Sequence, residues 1–300
     1  MTIDLIARSC PICLGNQVTV PWATEKLDQK KIAASSFSSR KSPELMHYRL
    51  LLCKKCDLVF ANPAPSEAWL EKNYQEASFD SGTEAICASK TYLKYLKPFL
   101  HDVSNQCALD VGTGEGSFLK ELLGVGFRDV RGVEPSKAPI ERADPIIKDR
   151  IKPTIFHESD FQSNSFDLIS CFQTLEHLYQ PLSFVSSAVK LLKNGGKLYI
   201  VVHNRNGLVN RLLGAKSPIY DIEHLQLFSP ASTKSLLESA GFKILSCTSI
   251  MNVYPISYWI KISPLPQVIK KVLKKLFVGL LDIHIPIPVG NLAVIGEKQS

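Results

Sequence analysis

The stretch ALDVGTGEGSFLKELLGVGFRDVRGVEPS, residues 108–136, indicates the fold of the chain. A short apolar run leads into three alternating glycines, Gly112, Gly114 and Gly116, and a helical pattern follows. A second apolar run then ends at an acid, Glu134. A glycine loop between a strand and a helix gathers backbone amides at the helix N-terminus, where they can bind an anionic group. The stretch therefore predicts a strand–loop–helix–strand unit with a ligand at its loop.

Three ligands are compatible with a glycine loop of this kind. A P-loop would end in Gly-Lys-Ser/Thr, whereas Gly116 is followed by Ser117 and Phe118. A dinucleotide fingerprint would have its third glycine at position 117, which is a serine. S-adenosylmethionine (SAM) remains: its methionine carboxylate suits exposed amides, and its ribose diol suits a carboxylate at the end of the second strand. Glu134 stands there, so we predict SAM as the cofactor.

Apolar strand patterns alternate with helical patterns on both sides of this unit. Such alternation predicts an α/β, Rossmann-like fold, with a mostly parallel seven-stranded sheet and helices on both faces. The predicted strands are 107–111, 130–134, 153–157, 166–172, 197–202, 243–250 and 291–297. The predicted helices of this part are 116–124, 136–143, 181–193 and 230–240.

Four of the eight cysteines form two closely spaced pairs, Cys10 with Cys13 and Cys53 with Cys56. A gap of two residues lets both thiolates of a pair reach one tetrahedral ion at about 2.3 Å. One such pair could be a redox motif, but two pairs at opposite ends of a small module favour zinc. We predict a structural Zn²⁺ on these four thiolates, in a zinc ribbon that is too small to hold a core of its own.

Composition and sequence changes suggest how the chain is organised. With 45% hydrophobic and 21% charged residues, it resembles an ordinary globular protein. We expect a zinc ribbon at 1–62, a helical linker or lid at 63–105, a SAM-binding domain at 106–250, and a basic insertion with a final strand at 251–300. No stretch offers the roughly 18 uninterrupted apolar residues of a membrane span. We therefore expect a cytoplasmic location, at most peripheral to the membrane.

Several motifs resemble those of class I SAM-dependent methyltransferases, in the branch with an N-terminal zinc ribbon that modifies glycans or natural products. They are ALDVGTGEGSFL, GVEPS, FDLISCFQTLEHLYQPLSFV, LLKNGGKLYIVV and EHLQLFSPASTKSLLESAGF. The resemblance implies that the methionine part of SAM is surrounded by Asp110, Gly112, Thr113, Gly114 and Gly116, with Glu134 on the ribose. It further implies Asp160 and Phe161 at the adenine, and Gln173 and Thr174 below the methyl group.

Methyl transfer to a hydroxyl requires a base, and histidines follow two of the predicted strands. The pair Glu176-His177 follows the fourth strand, and Glu223-His224 comes after the fifth strand and its helix. Ligands of open α/β sheets bind at the carboxyl ends of the strands, where both pairs are expected. We predict His224 as the general base, with Glu223 orienting it and His177 as the second candidate, although a purely structural histidine is an alternative for each.

The segment 264–281 contains QVIKKVLKKLFVGLL, in which apolar pairs alternate with lysine pairs. This pattern predicts an amphipathic helix that is packed on the domain, in contact with a membrane surface or a lipid-linked substrate, or bound to RNA. We expect the acceptor to be a small molecule, a sugar or a lipid-linked glycan. A nucleic-acid substrate is disfavoured, because the position after the fourth strand reads CFQTLEH rather than the Asn/Asp-Pro-Pro-aromatic motif of base methylation. The alternatives are an rRNA methyltransferase and a non-catalytic cofactor-binding protein.

Overall fold

The protein is represented by a computed structural model that describes residues 3–15, 18–28, 32, 34–37, 44–77, 82–101, 106–263 and 265–300. Its strands are β1 Leu5–Ile6, β2 Thr19–Ala23, β3 Leu50–Cys53, β4 Val59–Ala61, β5 Ala64–Pro65, β6 Cys107–Val111, β7 Asp129–Val133, β8 Ile151–Lys152, β9 Phe166–Phe172, β10 Leu192–His203, β11 Gln226–Leu227, β12 Phe242–Pro255 and β13 His284–Lys298. Its α-helices are α1 Glu67–Gln75, α2 Gly82–Leu96, α3 Ser117–Gly124, α4 Lys137–Arg142, α5 Pro145–Lys148, α6 Pro181–Leu191, α7 Leu208–Leu213, α8 Pro230–Ser239, α9 Ile256–Ile262 and α10 Gln267–Leu276.

Seven strands form the central sheet, in the order β12-β13-β10-β9-β6-β7-β8. The pairs β10–β9, β9–β6, β6–β7 and β7–β8 are parallel, whereas β13 lies antiparallel to both of its neighbours. This arrangement confirms the predicted α/β fold with a mostly parallel seven-stranded sheet.

The sheet separates two hydrophobic cores, because side chains of a strand point alternately to its two faces. On β6, Leu109 joins the core that contains α6 and α8, and the preceding Ala108 joins the core that contains α3 and part of α2. On β10, Ile200 joins the core that contains α6 and α8, and Tyr199 joins the core that contains α3. Helices therefore cover both faces, which explains why these strands are apolar almost throughout.

The strand order changes direction at β6, which fixes the place of the site. From β6 the chain first builds β7 and β8 on one side, and it then returns to build β9 and β10 on the other. Ligands of open α/β sheets bind outside the carboxyl ends of the strands at such a switch point. The loops after β6 and β9, which contain Gly112 and Gln173, are therefore the expected walls of a binding site.

A second sheet joins the N-terminal part of the chain to the main domain. Its strand order is β11-β4-β3-β2, so a strand from the C-terminal half completes a sheet of N-terminal strands. The β4–β11 pair is antiparallel, with Gln226 opposite Phe60. This contact was not predicted, since β11 is only two residues long.

Three predicted elements differ from the structure in their bounds. The strand predicted at 153–157 is instead β8, Ile151–Lys152, because Pro153 has no N–H to donate to a ladder. The strands predicted at 243–250 and 291–297 extend to Pro255 and back to His284, and they pair along most of their length as a long hairpin. The helix predicted within 264–281 is present as α10, which ends at Leu276, and the insertion also contains the unpredicted helix α9.

Candidate active site

The glycine loop follows β6 and turns through left-handed backbone conformations. The φ angles of Gly112, Gly114 and Gly116 are 75°, 57° and 74°, which residues with a Cβ rarely adopt. Space also requires glycine at the first position, where a Cβ on Gly112 would lie 2.2 Å from Thr174 Oγ1. Gly116 caps α3, so the helix begins at Ser117 rather than at the predicted residue 116.

Glu134 lies just beyond β7 and faces the glycine loop. Its Oε2 accepts the N–H of Gly114 and its Oε1 accepts the N–H of Ser136, both at 2.9 Å. Burial raises the pKa of this carboxyl to about 6, although both amide hydrogen bonds act against the rise. Each carboxylate oxygen can accept more than one hydrogen bond, so both oxygens retain capacity for a diol.

Asp110 lies on β6 directly below the loop and is buried. Its Oδ1 accepts the hydroxyl hydrogen of Ser170, on the neighbouring strand β9, at 2.6 Å. Burial raises the pKa of Asp110 to about 6, and the hydrogen bond from Ser170 opposes this rise. Asp110 and Thr113 both line the cavity beside the loop.

The residues after β9 form the floor between the two walls. Gln173 adopts a left-handed conformation, with φ at 52°, and its N–H donates to Val201 O at 2.8 Å. Strained conformations of this kind are common at functional sites. Thr174 packs against the glycine loop, and its hydroxyl donates to Phe172 O at 3.0 Å. Gln173 and Thr174 both line the cavity.

Two residues expected at the adenine are not brought to the cavity. Asp160 forms an ion pair with Lys152 at 2.7 Å, and Phe161 packs against Phe156 and Phe166. Neither belongs to the residues that line the cavity, whereas Phe156 and Glu158 do. Because β8 ends at Lys152, residues closer to that strand than Asp160 form this part of the wall.

Three histidines gather at one end of the cavity. The rings of His177 and His203 lie 5.2 and 5.1 Å, centroid to centroid, from the ring of His224. His224 is buried, and its Nδ1–H donates to Ile219 O at 2.9 Å, so its Nε2 carries the lone pair. Burial lowers the pKa of His224, and the neighbouring His203 lowers it further, which keeps the imidazole neutral at neutral pH.

His177 is oriented by a tyrosine that the sequence did not single out. The hydroxyl of Tyr74, on α1, lies 2.9 Å from His177 Nδ1 and donates to Glu223 O at 3.4 Å. Because this hydroxyl donates to a carbonyl, it accepts the Nδ1–H of His177. Tyr74 therefore links α1 to both histidine-bearing loops, and all three residues line the cavity.

Glu176 contacts the histidine cluster through His203. It is fully buried, and its Oε1 accepts the backbone N–H of His203 at 2.6 Å and approaches His203 Nδ1 at 3.1 Å. Burial acts to raise the pKa of Glu176, but the hydrogen bond from His203 and the electrostatic interactions with the three histidines hold this pKa below its ordinary value. A carboxylate at this position stabilises positive charge on the neighbouring imidazoles.

The four paired cysteines meet at one point. All four Sγ atoms lie within 4.8 Å of one another, with Cys10 and Cys56 3.5 Å apart and Cys13 and Cys53 3.9 Å apart. A tetrahedral Zn²⁺ with Zn–S bonds of about 2.3 Å requires sulfurs about 3.8 Å apart. The donor set and its spacing therefore fit a closed zinc site.

A second group of donors is found inside the cavity. One ligand atom each of His177, Glu223 and His224 lies within 4.8 Å of the others. Two imidazoles and a carboxylate can hold a divalent transition-metal ion, and each imidazole is oriented through its other nitrogen, as metal-ligating histidines usually are. The same arrangement serves proton transfer equally well.

The cavity that joins these parts has a volume of about 880 Å³. Ligand sites typically measure about 300–1,000 Å³, so the cavity has room for a cofactor and an acceptor together. Among the described residues that line it there is no lysine or arginine. The lining carboxylates are Glu67, Glu71, Asp110, Glu115, Glu134, Glu158 and Glu223.

Gln226, which the sequence did not single out, connects the N-terminal part of the chain to the histidines. Its Nε2 donates to Leu175 O at 2.9 Å and to Leu178 O at 2.7 Å, on either side of His177, and its Oε1 accepts from Arg8 at 3.0 Å. The adjacent Leu225 donates its N–H to Glu176 O at 2.9 Å. These contacts join residues far apart in the chain, so no local pattern could indicate them.

The fold and the glycine loop define the class, an S-adenosylmethionine-dependent methyltransferase of class I. Residues 83–247, more than half of the chain, match the family model described as a methyltransferase domain, and the chain belongs to this family. The chain is an enzyme of that class, in agreement with the sequence analysis.

Curated relatives share a specific activity in their names. The ubiquinone biosynthesis O-methyltransferase of Coxiella burnetii (strain Dugway 5J108-111) is 28% identical over 170 residues, which is 53% of this chain and 72% of the relative. The protein of the same name from Vibrio atlanticus (strain LGP32) is 25% identical over 171 residues, with the same coverage of 53% and 72%. Each of these local matches covers only about half of the present chain.

A solved structure shares the fold. It is titled as the complex between the Haloferax volcanii Trm112 methyltransferase activator and the putative methyltransferase. The match has a TM-score of 0.52 and 16% sequence identity, and it covers 78% of this chain and 96% of the other. At this identity the likeness concerns the fold alone.

Proposed function

We propose that the protein transfers the methyl group of SAM to a hydroxyl group of an uncharged small molecule or glycan, with His224 as the general base. The observation that carries this proposal is the neutral, oriented imidazole of His224 in the same cavity as the glycine loop. The names of the curated relatives, which refer to O-methyl transfer, support the choice of oxygen as the acceptor atom.

The cofactor is proposed to occupy the end of the cavity beside the glycine loop. The loop amides and Asp110 would surround its methionine part, and Glu134 would accept its ribose hydroxyls. Gln173 and Thr174 would lie below the methyl group. When bound, SAM supplies an electrophilic methyl group on a sulfonium. The residues of the chain then have to align the acceptor with this group and keep water out.

The proton of the acceptor hydroxyl is proposed to move to Nε2 of His224. A positioned base of this kind contributes roughly 10²–10⁴-fold to the rate. The hydrogen bond from Nδ1 to Ile219 O fixes the tautomer in which Nε2 can accept. Buried Glu176 favours the imidazolium that results, because it is one of the groups that raise the pKa of His224. His177, oriented by Tyr74, is the second candidate for this role.

The charge of the cavity narrows the class of acceptor. Seven carboxylates and no described lysine or arginine line it, so a phosphorylated acceptor would be repelled. A neutral sugar or phenol would not be repelled. The same field attracts the positively charged sulfonium of SAM. An RNA substrate is disfavoured for the same reason, since its phosphates require cationic contacts.

We also propose that Cys10, Cys13, Cys53 and Cys56 hold one structural Zn²⁺. The sulfur separations support this proposal. Strand β4 is linked through Leu225 and Gln226 to the histidine loops. Folding of the ribbon would then help to position the proposed base. A closed site with four thiolate ligands has no open position for catalysis.

The oxygen assignment is tested with SAM labelled with ¹³C in its methyl group and a panel of neutral phenols and sugars together with their phosphorylated counterparts. The proposal predicts a product whose labelled methyl resonates in the O-methyl region, and no reaction with phosphorylated members of the panel. A labelled N-methyl or C-methyl product would overturn it. Removal of divalent ions by EDTA distinguishes His224 acting as a base from a metal held by His177, Glu223 and His224. Turnover that remains after this treatment, in protein shown to be folded, indicates the base.

A further inference from the structure

The insertion between β12 and β13 exposes an apolar helical face. On α10, Val268, Ile269, Val272 and Leu276 are exposed by 73%, 44%, 50% and 72%. Because an α-helix has 3.6 residues per turn, these four residues lie on one side of it. No residue of α10 is buried, so nothing in the described part of the chain covers this side.

The other side of the same helix is cationic. It carries Lys270, Lys271, Lys274 and Lys275, and α10 contains no acidic residue. Lys270 donates to Lys261 O at 2.7 Å, which ties this side of α10 to α9. The apolar face is thereby turned away from the contact between the two helices.

The apolar surface continues beyond α10. Phe277, Val278 and Leu280 follow the helix and are also exposed, as is Leu265 before it. A contiguous apolar surface rimmed by charge is unusual on a monomeric protein and marks an interaction site.

We propose that this face, α10 together with residues 277–280, lies on an anionic lipid membrane, with its apolar side chains in the headgroup region and its lysines directed at the lipid charges. Amphipathic helices with a lysine-rich polar side and large apolar residues on the other bind membranes in this orientation. The flexible stems of lysine let the ammonium groups reach the headgroups while the helix is immersed. No described helix is long and apolar enough to cross a membrane, so the contact is a surface contact.

The hairpin that carries this apolar face packs on α2, a helix that also lines the cavity. In the contact of the β12–β13 hairpin with α2, Met251 N–H donates to Tyr95 Oη at 3.3 Å and Cys87 Sγ lies 3.8 Å from His284 Nε2. Other residues of α2 line the cavity, namely Ala85, Ala88, Ser89 and Tyr92. A protein held by this hairpin would work on acceptors at the lipid surface. The membrane contact goes beyond the proposed function and does not depend on which atom is methylated.

The test is co-sedimentation of the full-length protein with vesicles of phosphatidylcholine alone and of phosphatidylcholine mixed with phosphatidylglycerol. We expect binding to the mixed vesicles that decreases with added salt, and little binding to the neutral ones. Leu276→Asp should weaken binding at least tenfold, since it removes the burial of one large apolar side chain. Exchanging Lys271 and Lys274 for glutamine should weaken it roughly 25-fold, at about fivefold for each lysine.

The matched control is Ile146→Asp, which introduces the same charge at an apolar side chain that is 60% exposed on α5, outside the insertion. It should bind mixed vesicles like the unaltered chain. Equal binding by Leu276→Asp and Ile146→Asp overturns the proposal, as does an unaltered chain that stays in the supernatant with mixed vesicles. The proposal also fails if light scattering shows a dimer that Leu276→Asp dissociates and that does not bind vesicles, because the face would then join two copies.

Discussion

Replacing Glu134 by alanine tests the cofactor end of the site. Each hydrogen bond to a charged group contributes about 1.5–3 kcal/mol, so the loss of even one bond to the ribose corresponds to roughly ten- to 150-fold in affinity. Burial raises the pKa of Glu134 to about 6, so the carboxylate is mostly ionised at pH 7.5 and available for these bonds. We therefore expect Glu134→Ala to weaken SAM binding at least tenfold in calorimetric titration.

Two comparisons separate hydrogen bonding from general charge. S-adenosylhomocysteine carries the same ribose but lacks the sulfonium charge, so Glu134→Ala should weaken both ligands by the same factor. Glu71→Ala removes a carboxylate from another part of the cavity wall, on α1, and should change ribose binding little. If SAM is weakened much more than S-adenosylhomocysteine, or if the two variants behave alike, Glu134 acts through its charge and the ribose contact is refuted. Thermal unfolding of each variant shows whether it is folded.

Three further results are expected. Cys53→Ser should remove one bound zinc per chain in elemental analysis and lower the stability of the protein. Cys247→Ser, outside the cluster, should keep the metal, and a zinc-free unaltered protein would contradict the site. The affinity for SAM should be highest at pH values well above 6 and should fall as the pH drops below 6, because protonation of Glu134 removes a hydrogen-bond acceptor. An affinity that stays constant down to pH 5 would argue against this role of Glu134. Gly112→Ala should destabilise the protein by about 2 kcal/mol or more, because its Cβ would lie 2.2 Å from Thr174 Oγ1. Gly124→Ala, with open space around the residue, should not destabilise the protein, and equal melting temperatures of the two variants would contradict the packing.

Local patterns were sufficient to predict the centre of the fold. The alternation of strand and helix, the positive-φ glycines and an acid at the end of the next strand all lie within one stretch of sequence, and the structure brings Glu134 to the amide of Gly114. The two residues of each cysteine pair are likewise close in the sequence, and the structure brings the two pairs together. Spacing alone could therefore indicate both groups.

Contacts between distant segments could not be predicted. Gln226 holds the loop of His177 and pairs with Phe60 of β4, but β11 is too short to leave a strand pattern. Tyr74 reaches the histidines from α1, a helix that carries no motif. Asp160 was placed at the adenine by resemblance to the methyltransferase family, whereas in the structure Asp160 pairs with Lys152 and Glu158 lines the cavity. In each case the tertiary arrangement, rather than the local sequence, determines which side chain reaches the site.

The central claim, that His224 removes the proton of an acceptor hydroxyl beside bound SAM, is tested most directly by measuring kcat and SAM affinity together for His224→Ala. With an acceptor established by the labelling experiment, we expect a loss of roughly 10²–10⁴-fold in kcat with unchanged SAM affinity. His203→Ala, which removes a neighbouring ring, should have a smaller effect on kcat. Because the pKa of His224 is lowered by burial, the acid limb of the pH profile of the unaltered enzyme should lie below the ordinary histidine pKa. A His224→Ala enzyme that turns over at the rate of the unaltered chain would contradict the account.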